Sequence, residues 1–242
     1  MLNKRTRSWW LWIAPLVLTV AAAYWILPNV RPSAATVESH QAILEPNQPA
    51  DWQDALIAGR VLQSRMRYLL PDDNGTLDWQ ADGSRLIVNL PDELDADVLA
   101  GEAARIGRVE LVEGGTEFLP IGAEIETSLR PDPERRIYQS VLASEHFAAA
   151  RAEMGRNGRP LIAFVLTPTG ADLLAAHTVQ QGYYLCLVLD GQVVNCPVIR
   201  TPLVERRGVM EFISNVTLEQ AQIYAMLLCS GPLPVTFRRI DG

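Results

Sequence analysis

The sequence contains few of the residues from which catalytic and metal sites are usually built. Its 242 residues include three cysteines and three histidines, and His40, His146 and His177 share no motif. The HExxH, CxxC and GxSxG patterns, the Walker loop and the GxGxxG fingerprint are also missing. We therefore predict a protein that is not an enzyme and that uses no metal and no cofactor.

Lysine is almost absent as well, since Lys4 is the single lysine and the other 20 basic residues are arginines. We interpret this as a compositional bias. Acidic residues outnumber basic ones by 28 to 21, the formal net charge is −7, and no acidic residue precedes Glu38. Because affinity for nucleic acid comes mainly from neutralising phosphates, this acidic body predicts no nucleic-acid partner.

The sequence has only one long hydrophobic run. Residues 9–27 carry no charge over 19 positions, which as a helix would span about 28 Å, close to the hydrocarbon thickness of a bilayer. Aromatic side chains, which prefer the membrane–water interface, lie near both ends of the run: Trp9, Trp10, Trp12, Tyr24 and Trp25. We predict a transmembrane helix that anchors the protein in the cell membrane.

The charges around this run predict its orientation. Lys4, Arg5 and Arg7 precede it, and only Arg31 follows closely. The positive-inside rule therefore predicts a cytoplasmic tail over residues 1–8 and an extracytoplasmic remainder in a single-pass protein. A cleaved secretory signal is the alternative, since small residues at 21–23 could be cut, but apolar residues continue beyond them. Both interpretations predict an extracytoplasmic body.

The remainder predicts an α+β fold with a base and a head. Residues 28–54 are rich in Pro, Ala, Gln and Asn, which is typical of a tether. Residues 55–120 then alternate between helical and strand patterns in the order helix, strand, strand, helix, strand. This order is most of a split βαβ, ferredoxin-like unit. We name this unit the base, and residues 55–120 are its N-terminal segment.

A proline-containing connector is predicted over residues 121–135, followed by an α+β head subdomain over residues 136–215. Within the head, the patterns predict a helix that residues 144–146 open and that runs to 154, a strand at 161–166, a helix at 167–179, a hairpin at 183–199 and a strand at 208–213.

Residues 216–242 are predicted to be the C-terminal segment of the base. Thr217 and Gln220 form a capping box before an apolar helix, and a short strand is predicted at 233–237. Since the N-terminal segment lacks a clear opening strand, we expect this helix and strand to pack with residues 55–120 rather than with the nearer head.

The cysteine pair within the hairpin leaves two possibilities open. With a two-residue turn at Asp190-Gly191, the residue numbers of two directly paired residues add up to 381, so Cys186 pairs with residue 195. Cys186 and Cys196 then point to opposite faces of the hairpin. A three-residue loop changes the parity and allows a disulfide. Free buried thiols are the favoured interpretation, and Cys229 is predicted to lie in the core of the last helix.

Five short phrases follow one another along residues 55–240: RLIVNLP at 85–91, YQSVL at 138–142, FVL with Gly170-Ala171 at 164–171, LVLDGQVVNCPVI at 187–199, and the pair VTLEQA and SGPLPV between 216 and 235. In this order they resemble the first periplasmic domain of SecD, the membrane component of the Sec translocon. The resemblance assigns structural roles to motif residues Asp190, Gly191, Pro197, Gly231 and Pro234.

The resemblance implies an anchored base and head that contact emerging polypeptide. It has departures: Gly231-Pro232 replaces the family's Gly-Ala, and the Asp-Leu-x-Gly-Gly phrase after the first membrane helix is missing. The family continues into membrane helices with the ionisable residues of a proton-driven motor, whereas this sequence stops at Gly242. We therefore expect no motor in this chain.

The leading hypothesis is a non-catalytic, SecD-like module that binds exported polypeptide or Sec translocon subunits outside the membrane. A strand edge or an apolar groove on the head could hold an extended chain by strand addition. A structural or sensory envelope domain that keeps the fold without a translocation role is the alternative. An extracytoplasmic hydrolase is the least supported, because no nucleophile–base set is visible.

Overall fold

Twelve strands and four helices make up the described part of the chain. The computed structural model describes residues 40–69, 77–90, 94–128, 137–178, 182–200 and 205–240. The strands are β1 His40–Pro46, β2 Asp78–Asp82, β3 Arg85–Leu90, β4 Val109–Gly115, β5 Glu126–Ser128, β6 Ile137–Ala143, β7 Phe147–Met154, β8 Pro160–Leu166, β9 Tyr184–Leu189, β10 Gln192–Asn195, β11 Arg207–Glu211 and β12 Phe237–Ile240. The helices are α1 Trp52–Leu69, α2 Ala96–Ala103, α3 Pro168–Thr178 and α4 Leu218–Ser230.

The first sheet joins the beginning of the described chain to its end. Its strand order is β12-β1-β3-β2, and every neighbouring pair is antiparallel. Alternate residues of β3 are buried, so one face of the sheet meets α1 and α2 while the other stays exposed. The core between them includes Leu44, Leu62, Leu86, Leu99 and Phe237.

Strand β1 lies where the sequence predicts a tether. The structure differs from that prediction from residue 40 onward, because residues 40–46 pair with both β3 and β12 and α1 begins at Trp52. Ala42 and Leu44 are fully buried on one side of the strand. This short apolar alternation supplies the opening strand, although Pro46 and Pro49 give the segment a linker-like composition.

The remaining strands form two further sheets, which contain the strands of the predicted head. One has five strands in the order β10-β9-β4-β6-β5, where only the β5–β6 pair is parallel. The other has three antiparallel strands in the order β11-β8-β7. Strand β4, predicted to belong to the base, pairs with β9 and β6 instead. Strand β4 therefore lies in a different sheet from β2 and β3.

The predicted helix from 144 to 154 is wrong. Residues Ser144–His146 form a single 3-10 turn, and residues 147–154 form β7, paired along its length with β8. The segment FAAARAEM is rich in good helix formers. Pairing with the apolar strand β8 and packing of Phe147 and Ala150 into the core override this local preference.

The expected packing of the C-terminal helix on the base is also wrong in its main contacts. Helix α4 lies against β7 and β8, and its apolar residues belong to the head core: Ala221, Ala225, Met226, Leu227 and Leu228. A smaller contact joins α4 to α1. Only the residues after the helix enter the base, where Leu233 and Phe237 are buried and β12 pairs with β1.

Candidate functional site

An apolar groove opens in the head between β11 and the segment that follows β10. It encloses about 640 Å³, a volume typical of ligand pockets. Its floor consists of buried side chains from both head sheets and the adjoining segments: Leu111, Phe164, Leu185, Ile199, Met210 and Phe212. Val198, Val209 and Ile213 line it with exposed apolar side chains. Such a groove can hold apolar side chains of a ligand away from water.

One side of the groove is the outer edge of β11. The Leu166 N–H donates to the Arg206 carbonyl at 2.7 Å. Since hydrogen-bonded pairs alternate along an antiparallel ladder, Gly208 and Met210 turn their backbone polar groups toward β8. Arg207 and Val209 turn theirs away from it, and β11 pairs with β8 alone within the described residues. This edge can pair with another extended chain.

The end of β11 is held by one buried amide side chain. Asn195 is fully buried; its Nδ2 donates to the Glu211 carbonyl at 3.0 Å, and its Oδ1 accepts from the Ile213 N–H at 3.1 Å. Asn195 thereby takes the place of a neighbouring strand for the last residues of β11. The β9–β10 hairpin therefore fixes one end of the groove.

The hairpin also corrects the interpretation of the cysteines. Its turn has two residues, and Gln192 pairs with Leu189 as the parity argument requires. The register then shifts by one residue, so that Asn195 pairs with Leu187. This bulge brings Cys186 and Cys196 to one face, where they form a disulfide. The prediction of free thiols is wrong for these two residues. The bulge, like a three-residue loop, shifts the pairing by one residue and so places both side chains on the same face of the hairpin.

Charged side chains lie beside the apolar floor. Arg159 comes from the turn before β8, Arg200 from the segment after β10, and Glu211 from the end of β11. Two guanidinium groups against one carboxylate give the groove lining a positive balance, in contrast to the net charge of −7 on the whole chain. A ligand with apolar side chains and a negative charge would fit both features.

A second polar centre lies between α1 and the segments that follow α2 and α4. Arg65 of α1 is fully buried. Its Nη1 donates to the carbonyls of Glu102 and Arg105 at 2.8 and 3.1 Å. Its Nη2 donates to those of Ile106 and Gly231 at 2.6 and 3.2 Å. One side chain thus binds carbonyls at the end of α2, in the segment that follows α2, and in the segment that follows α4.

The charge of Arg65 is only loosely balanced. The nearest carboxylate oxygen, Glu102 Oε2, lies 3.9 Å from Nη1, while Glu102 Oε1 is bound more closely by Arg105 at 2.6 Å. Burial lowers the pKa of the Arg65 guanidinium to about 10, and the charge of Glu102 opposes that shift. The geometry is that of a hub for backbone carbonyls rather than of a proton-transfer site.

Asp190 and Gly191 form the hairpin turn and a link to the base crossing. Both have positive φ, 49° and 84°, as the favoured two-residue turn requires. The Asp190 carboxylate accepts from the N–H groups of Gly107 and Arg108 at 3.1 and 2.8 Å. This motif residue therefore ties the hairpin to the chain that enters β4.

The other motif residues have different surroundings. The Pro197 carbonyl accepts from the Leu185 N–H at 3.1 Å, and Pro197 lines the groove. Gly231 ends α4 with a φ of 78° and presents its carbonyl to Arg65. Pro234 is exposed, three residues before β12. The structure therefore spreads the five motif residues over the turn, the groove and the crossing into the base.

The remaining titratable residues make local contacts. His146 Nδ1 accepts from the Ala143 N–H at 3.0 Å, and His177 Nδ1 lies 2.9 Å from Glu113 Oε2. Cys229 is a partly buried free thiol. Burial and then a hydrogen bond with Cys229 raise the pKa of Tyr68. Across the described ranges, His, Cys, Asp and Glu side chains form no cluster of three that could hold a metal ion.

The predicted anchor, with Trp9, Trp10, Trp12, Tyr24 and Trp25, lies outside the described residues, as does His40's side chain. Among the helices that are described, none is long and apolar enough to cross a membrane.

Sequence reasoning missed Arg65 and Asn195. Arg65 comes four residues after Val61 and three after Leu62, so its spacing places it on the apolar face of α1, whereas Arg60 and Arg67 are exposed. That spacing is the signal that could have indicated a buried arginine. Asn195 ends the second hairpin strand and carries no such signal, because its partners lie on another strand. The groove itself follows from the expectation of a strand edge on the head, but its lining does not.

Residues 127–235 match the family model of the SecDF P1 head subdomain. The protein translocase subunit SecDF of Thermus thermophilus is 32% identical over 173 residues, which are 64% of this chain and 23% of that protein. The subunit SecD of Dictyoglomus turgidum is 33% identical over 105 residues, 43% of this chain and 26% of that protein. The chain thus spans about a quarter of these curated relatives.

Two solved structures share the fold. One is of SecDF, described as a membrane component that enhances protein export; it is 27% identical with a TM-score of 0.62, over 84% of this chain and 99% of that chain. The other, SecDF in a super-membrane-facing form, has the same identity and a TM-score of 0.64, over 83% of this chain and 29% of that one.

The class of protein follows from these matches together with the α+β architecture: the described part of the chain is a SecD-like domain. More particularly, residues 127–235 are similar to the SecDF P1 head subdomain, and all residues that line the groove except Leu111 lie within this match.

Proposed function

We propose that this chain is a membrane-anchored, extracytoplasmic, non-catalytic SecD-like module that binds extended polypeptide segments during protein export. The groove beside β11 is the observation that carries the proposal. It combines an apolar floor with a strand edge whose outward N–H and C=O groups, at Arg207 and Val209, have no neighbouring strand within the described residues. Unfolded polypeptides offer the matching groups, since any sequence supplies backbone donors and acceptors.

Strand addition explains how such a site would tolerate many sequences. Backbone hydrogen bonds to β11 are independent of side-chain identity, and every second side chain of the bound segment would face the apolar floor. Arg159 and Arg200 would favour segments with an acidic residue at the groove lining. The expected ligand is therefore an extended segment with alternating apolar residues and a negative charge.

The proposed partners are the exported polypeptide and a subunit of the Sec translocon. The support comes from the relatives, which are protein translocase subunits, and from the solved SecDF that enhances protein export. In the same way, the hydrophobic run at 9–27 supports a single-pass anchor with a cytoplasmic N-terminus. The Cys186–Cys196 disulfide supports an oxidising, extracytoplasmic location.

We further propose a division into base and head with revised limits. The base would comprise β1 to α2 and β12, a βαββαβ order with the antiparallel strand order β12-β1-β3-β2. That order is the one a ferredoxin-like unit has. The head would run from β4 through α4 as an insertion, so the chain crosses between base and head at residues 104–108 and 231–236.

Site-specific photo-crosslinking in membranes tests the proposed function. A photoreactive amino acid at Ile213, an exposed apolar residue of the groove, should capture a stalled exported polypeptide. The same probe at Val98, which is similarly exposed on α2 of the base, is the matched control. We expect adducts at 213 and none at 98.

Two outcomes would contradict the proposal. Equal labelling at both positions would show that contact with the exported chain is unspecific. No adduct at 213, combined with normal export in cells that lack this protein, would favour the structural or sensory envelope domain instead.

A further inference from the structure

The outer face of the β11-β8-β7 sheet has no covering element within the described residues. Side chains alternate along these strands: Ile162, Phe164 and Met210 point into the core, while their neighbours point outward. The central strand presents the partly exposed apolar residues Leu161, Ala163 and Val165 on this outer face. A shallow depression of about 530 Å³ lies over it.

The registers of the three strands order this face into rows, because directly opposed residues of an antiparallel pair point to the same side. From one end to the other, the rows are Ala149–Val165–Arg207, Arg151–Ala163–Val209 and Glu153–Leu161–Glu211.

The rows separate the charges. Arg207 and Arg151 occupy the first two rows, and Glu153 and Glu211 flank the apolar strand in the third. Arg207 and Glu211 are exposed, and the Arg151–Glu153 ion pair of 3.2 Å is largely solvated. Because Arg151 of the middle row is paired with Glu153, the separated charges of this face are Arg207 at one end and Glu211 at the other.

We propose that this face binds the same face of a second copy of the chain, in a two-fold symmetric contact. A two-fold axis that lies across the strands and passes through the middle row reverses the order of the rows in the second copy. Arg207 then lies opposite Glu211 of the second copy, twice. Ala163, Val209 and Arg151 each meet their own copy along the axis, and Leu161 meets Val165. The two Arg151 side chains keep their Glu153 partners beside them. Because Arg207 and Glu211 lie at equal distances on either side of the axis, each faces a residue of opposite charge on the second copy.

The contact is small and the association weak. Three strands about 4.8 Å apart and five residues long cover a few hundred Å² on each copy, less than the roughly 800 Å² per partner of a standard interface. Tethering both copies to one membrane would raise their effective concentration. The outward backbone groups of β11 stay free in this arrangement, although Val209 and Glu211 belong both to this face and to the groove lining.

The full-length chain in its membrane is the material for the test. In a Cys229→Ser background, Ala163→Cys places one thiol at the proposed axis, and Val98→Cys places one on the base as the control. A short bismaleimide should join two copies through position 163 and not through position 98. A product that contains position 163 and a different protein would overturn the second copy as the occupant.

Charge reversal distinguishes this contact from random collision. In the Ala163→Cys chain, Arg207→Glu alone and Glu211→Arg alone each place like charges opposite one another, and we expect each to lower the crosslinked dimer about fivefold or more. Combining both substitutions in one chain should restore it. A mixture of the two single variants should also crosslink, one variant to the other, because their charges are then complementary.

The mixture is the decisive arm, since a misfolded single variant could not be rescued by another chain. Crosslinking that ignores both charges, or a mixture that stays as low as each variant alone, would overturn the proposal.

Discussion

The Arg65 guanidinium donates a hydrogen bond of 3.2 Å to the Gly231 carbonyl, across 166 positions of sequence. The same side chain binds the carbonyls of Glu102, Arg105 and Ile106 at and after the end of α2. The segments that follow α2 and α4 are therefore joined by one residue of α1. In the proposed division these segments are the two crossings between base and head, so the position of the head would depend on this buried cation.

Replacing Arg65 should strongly destabilise the protein. Arg65→Met removes four hydrogen bonds to carbonyls and leaves Glu102 buried with Arg105 alone, so we expect a loss of about 3 kcal/mol in the free energy of unfolding. Urea unfolding of the purified chain measures this loss. Arg67→Met, at an exposed position of the same helix, should change stability by less than about 0.5 kcal/mol. Equal effects of the two substitutions would contradict the role of Arg65.

The disulfide should be present and stabilising. Mass spectrometry under native alkylation should find one modified thiol, Cys229, and an intact Cys186–Cys196 link. Replacing both cysteines by alanine should cost about 2–3 kcal/mol, since the bridge closes a short loop. It should also loosen Ile213, whose N–H depends on Asn195 beside the bridge. Unchanged amide exchange at Ile213 would refute that coupling.

The Asp190 carboxylate should contribute through its two backbone bonds. Asp190→Ala leaves the N–H groups of Gly107 and Arg108 without this acceptor and places alanine at a φ of 49°. We expect a loss of about 2 kcal/mol. Asp190→Asn retains an oxygen acceptor and tolerates the turn, so its loss should be smaller. Urea unfolding compares them, and the reverse order of stability would contradict this assignment.

The free energy of unfolding at acidic pH should depend on Glu45. Hydrogen bonds from Arg238 and then Arg85 hold the pKa of Glu45 below its ordinary value of 4.5. The unfolded chain therefore binds the proton first as pH falls. The contribution of Glu45 is complete above pH 4.5 and is lost as pH falls through the lower, folded value. Glu45→Gln should flatten the fall in stability below pH 4.5. An unaltered slope, or an NMR titration of Glu45 at or above 4.5, would contradict this.

Much of the fold follows from local patterns. The order of helices and strands from α1 to α2, the helix α3 and the hairpin at Asp190-Gly191 all have clear signals, because periodicity and turn residues are local properties. The closing strand is predicted at 233–237 and lies at Phe237–Ile240. Strand β1 escapes prediction because its apolar alternation is short and surrounded by prolines.

The rest is decided by contacts between distant residues. The helix-forming composition of β7 is overridden by β8, and α4 follows the apolar head core rather than the base. Similarly, the bulge before Asn195 decides the cysteine pairing, and no residue type announces it. The candidate site is harder still, because the free edge of β11 is defined by which strand lies beside it and which does not.

The decisive measurement for strand addition at β11 is the affinity of the full chain for an extended, unstructured exported polypeptide, with Val209→Pro and Val209→Ala as the variants. Proline removes the outward N–H of Val209 but no ladder bond to β8, and alanine keeps that N–H. Equal urea stability of the variants is the control. We expect about a tenfold weaker affinity for Val209→Pro, the equivalent of one hydrogen bond, and a smaller change for Val209→Ala. Equal affinity of all three chains would contradict strand addition at β11.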